Sequence, residues 1–159
     1  MNEIRVLRAQ VALIGEVVEA AVADLTPDEA LRAPIPGVND VNWILGHLVQ
    51  VNAGVLELLG HPRDPALADL VYYAAGSPPV EDVADAWDLG KLRDAFRQQI
   101  HHLDGALVDA PPERLAAPPP PGFEGELRDF LHFITFHQGY HVGQLGMLRR
   151  ALGHDRAFG

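Results

Sequence analysis

The chain has no cysteine. That excludes a disulfide framework, a thiolate metal site and a cysteine nucleophile, and it suits a reducing cytoplasm, the expected location. Basic residues are also scarce. Twelve Lys and Arg stand against 22 Asp and Glu, a formal net charge of −10. A surface of that sign repels phosphate backbones, so nucleic acid is a poor partner. Long apolar runs are missing too. The opening MNEIRVLRAQ has no uninterrupted apolar stretch of the kind a secretory leader needs. The most apolar segment, Val41 to Leu59, is broken by Asn42, His47, Gln50, Asn52 and Glu57, which argues against a membrane span.

What remains is a chain of 159 residues that is 48% apolar, enough for one domain over 1–159 with a continuous core. Helical periodicity dominates it. Ile4, Leu7, Val11, Ile14, Val18 and Val22 form one stripe, with Glu16 and Glu19 turned away. Thr26-Pro27-Asp28-Glu29 then combines a cap, a proline at the first helical position and acids in a first turn. Pro34, Pro36 and Gly37 break the chain, and Asn39 caps a second helix that runs to about Leu59 and stops at Gly60. Its apolar side is Val41, Ile44, Leu48, Val51, Val55 and Leu58. Gly60 to Pro79, with four prolines, two glycines and the pair Tyr72-Tyr73, reads as a long connection.

A third helix has an irregular early part near Val80 to Trp87 and a main part from Leu89 to Leu107, with Leu89, Leu92, Phe96, Ile100, Leu103 and Leu107 as its stripe. Pro111-Pro112 end it, and AAPPPPGFEG is a second stiff connection. The fourth helix runs from about Gly125 to Leu152 and is closed by Gly153. Four such helices imply an all-α four-helix bundle. A 20-residue helix is about 30 Å long. The link after the second helix, extended at roughly 3.3 Å per residue, can run back along it. A long crossover between helices two and three therefore permits up-down-down-up topology.

Chemistry concentrates in the last helix. Phe130, Ile134, His137, His141, Gln144 and Leu148 share one face. Its ends are apolar, but its middle carries two imidazoles four residues apart. Side chains at that spacing sit about 5–6 Å apart at Cβ, so both rings can turn toward one point. On a core-facing stripe an unpartnered polar group costs roughly 1–3 kcal/mol. A shared metal ion removes that cost, and the alternative is a pair of core histidines satisfied by ordinary hydrogen bonds. His47 alone, beside an apolar stripe, reads as a hydrogen-bonded core histidine. His132 falls about 140° round the helix from His137, at an interface or in solvent. His101-His102 diverge, one toward the core and one toward water, and His61 and His154 read as surface residues.

NWILGHLVQ in the second helix and HQGYHVGQL in the last resemble the two signature regions of the DinB-like (YfiT-like) family, in the order and spacing of that family's helices. The resemblance implies an up-down-down-up four-helix bundle, a homodimer, and a divalent metal held by His47, His137 and His141. Three imidazoles with an open position have the form of a catalytic rather than a closed structural site. Zinc and nickel suit it best, with iron and manganese also compatible. Gln144, Asn42 and Gln50 either fix the ligand rings through their second nitrogens or are ordinary polar residues at helix edges, and Trp43, Tyr140 and the Tyr72-Tyr73 loop either wall the pocket or simply pack in the core.

Better-understood relatives are thiol-dependent transferases and isomerases. The resemblance thus implies a metal- and low-molecular-weight-thiol-dependent S-transferase or isomerase acting on small electrophiles. Arg149 and Arg150 either hold the thiol's carboxylates or complement the helix C-terminus. Many relatives carry a basic residue directly after the second histidine of the pair, where this chain has Val142, which leaves an anionic thiol less supported. Two alternatives stand beside this reading: a metal-dependent hydrolase, for which no Asp or Glu lies within a turn of the pair as base, and a non-catalytic metal-binding stress protein.

Overall fold

The computed structural model describes residues 3–78 and 86–157. Among these the chain is all-helical, with no strand: α1 (Glu3–Val22), α2 (Pro27–Ala30), α3 (Val41–Leu58), a 3₁₀ segment (Pro65–Tyr73), α4 (Leu89–Asp109), α5 (Pro112–Leu115) and α6 (Leu127–Ala151). Among the described residues no helix is long and apolar enough to cross a membrane. Residues 80–85, expected as the irregular start of the third helix, lie outside the described residues.

The periodic stripes become the core. Leu7, Val11, Ile14, Val18 and Val22 of α1 are buried, as are Leu89, Leu92, Phe96, Leu103 and Leu107 of α4. Ile100 is only half-buried, and its neighbour Gln99 is turned inward instead. Helix ends follow local chemistry. Thr26 and Glu29 satisfy each other's backbone N–H groups in a capping box that nucleates the single turn of α2. The cap of α3 is Asp40, one residue later than the expected Asn39. Its carboxylate accepts the Trp43 N–H at 2.7 Å, and a carboxylate gains more than an amide from the helix N-terminal field. Gly60 and Gly153 take positive φ just past α3 and α6, where a Cβ would be strained.

The segment after α3 departs from expectation. It holds a nine-residue 3₁₀ helix, capped by Asp64 on the Ala66 N–H. Leu67, Leu70 and Tyr73 recur every third residue, which places them on one side of a helix with three residues per turn, and all three are buried against α3.

Ion pairs show how the long helices run. Arg8 forks onto Asp104 at 2.7 and 2.9 Å, and Arg97 meets Glu19 at 2.9 Å, so α1 and α4 oppose each other. Glu3 meets His132 at 3.2 Å, while Asp24, just after α1, meets Arg149, so α1 and α6 run together. Asn52 lies against Gln138, and His47 against His141, so α3 and α6 oppose.

Candidate metal centre

The nine residues from Val41 to Val49 are all buried, which makes the first half of α3 the most enclosed stretch among the described residues. His47 emerges from it toward α6, only 3% exposed. On α6 the expected stripe faces inward: Phe130, Ile134, His141 and Leu148 are buried, His137 and Gln144 half-buried. Gln138, Leu145 and Arg149 are buried too, so that face is wider than expected.

The three rings converge. Nε2 of His137 lies 3.4 Å from Nε2 of His47 and 3.2 Å from Nε2 of His141. One ligand atom from each residue lies within 4.8 Å of the others, a group that can hold a metal ion. Zinc–nitrogen bonds of about 2.0–2.1 Å at tetrahedral angles separate ligand nitrogens by about 3.3 Å, and the spacing here is of that size.

Proton counting explains why a cation fits. Nδ1 of His47 faces the Tyr73 carbonyl at 2.9 Å. A carbonyl only accepts, so Nδ1 carries the hydrogen and Nε2 a lone pair. Nδ1 of His141 likewise donates to Gln144 Oε1 at 2.7 Å, leaving its Nε2 as an acceptor. Burial pushes all three ring pKa values down, that of His141 to about 4, with the neighbouring rings adding to the effect on His137 and His141. The rings are therefore neutral near pH 7. Two lone pairs thus face His137 Nε2, which has at most one proton to offer, and His137 Nδ1 is buried with no partner among the described residues. The cluster lacks positive charge, which a divalent ion could supply.

The surroundings hold His47 in place. Trp43, one turn before it, stacks on its ring at 4.9 Å and 11° and donates from Nε1 to Ser77. Tyr73 delivers the carbonyl, and its hydroxyl donates to Asn42 Oδ1 and accepts the Trp87 N–H, both at 2.9 Å. Asn42 Nδ2 closes the loop on the Trp87 carbonyl at 2.8 Å. Asn42 therefore steadies the element that orients His47 and does not touch a ligand ring. Gln50 is half-buried and takes no part. Gln144 does hold His141. The residue before His47 is Gly46, where a Cβ would overlap the Tyr73 ring; the glycine lets the 3₁₀ segment lie close against α3.

Other expectations resolve differently. Arg149 is buried and bound to Asp24, to the Ala21 carbonyl at 3.3 Å and to the Asp155 carbonyl at 2.6 Å. It is not free to hold a thiol's carboxylates. Exposed Arg150 donates to the His154 carbonyl at 2.9 Å. His101 and His102 are both exposed, so neither touches the core. His61 is exposed as expected, whereas His154 is half-buried, its Nε2 3.0 Å from Glu29. Tyr140 packs edge-on against His141 at 5.4 Å and Phe133 flanks His137 at 6.3 Å. Sequence reasoning missed the Tyr73 carbonyl and Gly46. The signals available were the three-residue period ending at Tyr73 and a glycine inside an otherwise strong helix.

An all-helical chain that gathers one histidine from α3 and an i, i+4 pair from α6 defines a class of helical proteins with a three-imidazole cluster. The sequence pattern of the DinB superfamily matches residues 11–145, and the chain belongs to that superfamily. Its fold is shared with a crystal structure described as the conserved protein of locus from Enterococcus faecalis, at TM-score 0.73 and 18% identity. The likeness covers 96% of this chain and 98% of that one. No curated protein matches the chain.

Proposed function

We propose that His47, His137 and His141 are the ligands of a divalent metal, zinc or nickel in preference to iron or manganese, in an up-down-down-up bundle that catalyses thiol-dependent transfer or isomerisation of a small electrophile. The observation that carries this reading is the convergence of three neutral imidazoles through Nε2, two of them locked by acceptors at Nδ1. The opposed and parallel helix pairs described above support the topology. The bound ion would supply a Lewis acid that lowers the pKa of a coordinated thiol or water.

The chain's own residues do the rest. The Tyr73 carbonyl and Gln144 keep two rings in the tautomer that presents a lone pair. Half-buried His137 marks the side open to an exogenous donor. Phe133 and Tyr140 flank that side with aromatic surface suited to an apolar electrophile. No carboxylate belongs to the cluster, which favours a nucleophile brought in as a thiol over a water activated by a protein base.

The reading includes a homodimer. Phe133, Phe136, Tyr140 and Met147 are exposed on one side of α6, Phe136 at 72%. Gly139 and Gly143 lie between them with open space above, and a second copy seated there would lie beside His141. Light scattering of Phe136→Glu would show a monomer where the wild type is a dimer.

The decisive experiment is metal analysis of the purified protein beside His141→Ala, followed by a thiol screen with a model electrophile with and without Zn or Ni. Metal lost in the variant and conjugation that needs both metal and thiol are expected. Ester or amide cleavage without thiol would replace the transferase by a hydrolase, and silence in both assays by a non-catalytic metal-binding protein.

A further inference from the structure

A second cleft lies away from the histidine centre, between α3 and α4, and the loop that leads into the 3₁₀ segment walls it. It holds about 470 Å³, within the range of small-molecule sites. It exists because small residues face each other where packed helices usually interlock: Ala53 on α3, and Ala95, Gly105 and Ala106 along one face of α4. None of its lining residues belongs to the His47–His137–His141 cluster.

Gln99 lines this cleft and is only 4% exposed. Neither its Oε1 nor its Nε2 has a hydrogen-bond partner among the described residues. A buried amide with both ends unpaired is unusual in a folded protein and calls for an explanation. The cleft is much larger than the roughly 30 Å³ share of a single water. An amide pairs best with a group that presents a donor and an acceptor side by side in one plane, and a ring lactam is such a group. Leu56 and Leu67 add apolar walls, while His61, His102 and Arg63 give the cleft flat π-systems that stack on a planar ring.

We propose that this cleft binds a planar heterocycle of pyridone or pyrimidine size. The ring's lactam edge pairs with Gln99, and its faces lie between the leucines and the imidazole and guanidinium planes. Both polar atoms of Gln99 are shut from solvent, so the ligand takes them as the side chain rotates into the cleft. The site is independent of the metal centre and does not rest on the proposed transferase activity.

The test is an NMR titration of the full chain with 2-pyridone, and with N-methyl-2-pyridone as a control of similar shape that lacks the N–H donor. Wild type should bind 2-pyridone at least tenfold more tightly than the methylated ring, with shifts confined to α3, α4 and the loop. Gln99→Leu should lose that preference and should melt no lower than wild type, because it removes two unpaired polar atoms. Gly105→Leu, at a helical position where a Cβ meets nothing within 4 Å, should remain folded and bind neither ring. Equal affinity for the two pyridones, an unchanged preference in Gln99→Leu, or no binding of 2-pyridone to wild type would each overturn the proposal.

Discussion

Histidines occupy two sites in this molecule under opposite electrostatic conditions. At the first, three rings are gathered with no carboxylate among them, and burial drives their pKa values down. At the second, His154 lies between acids, its Nε2 3.0 Å from Glu29 and its Nδ1 3.4 Å from Asp24, and its pKa rises, chiefly through the Glu29 bond. One site therefore stores lone pairs and has a place for a cation. The other favours the imidazolium form and ties the turn after α6 to α2 and the end of α1. The difference comes from neighbours distant in sequence, which composition and periodicity do not show.

The comparison breaks most sharply at His141. Removing one of the three proposed ligands should weaken Zn or Ni binding by more than about 100-fold, since loss of an outer partner alone costs roughly 10–100-fold. Calorimetric titration checks this, and His154→Ala should leave metal affinity unchanged. The metal-free protein sharpens the contrast through pH. The His141 ring titrates near 4 when folded against its ordinary value of 6.5, so between those values the unfolded chain binds more protons. Stability should therefore fall as pH drops from 6.5 toward 4, by on the order of 3 kcal/mol in total. Urea unfolding in chelator at pH 7 and 4.5 should show most of that loss in wild type and much less in His141→Ala.

The next effect tests what orients His47. Gly46→Ala would drive a methyl into the Tyr73 ring, which should cost about 1–3 kcal/mol of stability as overpacking. It should also weaken metal binding by roughly 10–100-fold, because the Tyr73 carbonyl leaves His47 Nδ1. Gln144→Leu removes the acceptor on His141 Nδ1 but leaves the backbone intact, so only the lower end of that range, about tenfold, is expected. Equal metal affinity in both variants and wild type would show that the rings are held by packing alone.

Much of this arrangement is legible in the chain. The α6 stripe could be read at period 3.6 because its apolar ends fix the face on which His137 and His141 must lie. The i, i+4 spacing then brings the rings together with no tertiary information. Gln144 was legible for the same reason, one turn from the ring it holds. His47 needed the family resemblance, because which face of α3 meets α6 depends on the whole packing. The partner of its second nitrogen is a backbone carbonyl, which residue identity does not reveal. Arg149 resembles any cationic helix end until Asp24, 125 residues earlier, is found beside it. The 3₁₀ segment was hidden by the prolines in and around it, which mark a connection at period 3.6 or 2 but are compatible with a proline-led helix at period 3.

The smallest effect concerns His154, and its sign is opposite to that of the cluster. Its folded pKa stands above the ordinary 6.5. The contribution of its pairs is therefore complete below 6.5 and is lost as pH rises through the raised value. On the acid side, burial opposes but does not cancel the bonds that depress Glu29 and Asp24 below their ordinary 4.5 and 3.8, so their contribution begins to fade only below those values. The gap in melting temperature between wild type and His154→Ala should thus be widest between about pH 4.5 and 6.5 and close toward alkaline pH. Arg149 still holds Asp24 in that variant, so α1 and α6 stay joined and the gap remains small. A gap that widens with rising pH would mean that His154 is held as the neutral ring, and the contrast between the two histidine sites would collapse.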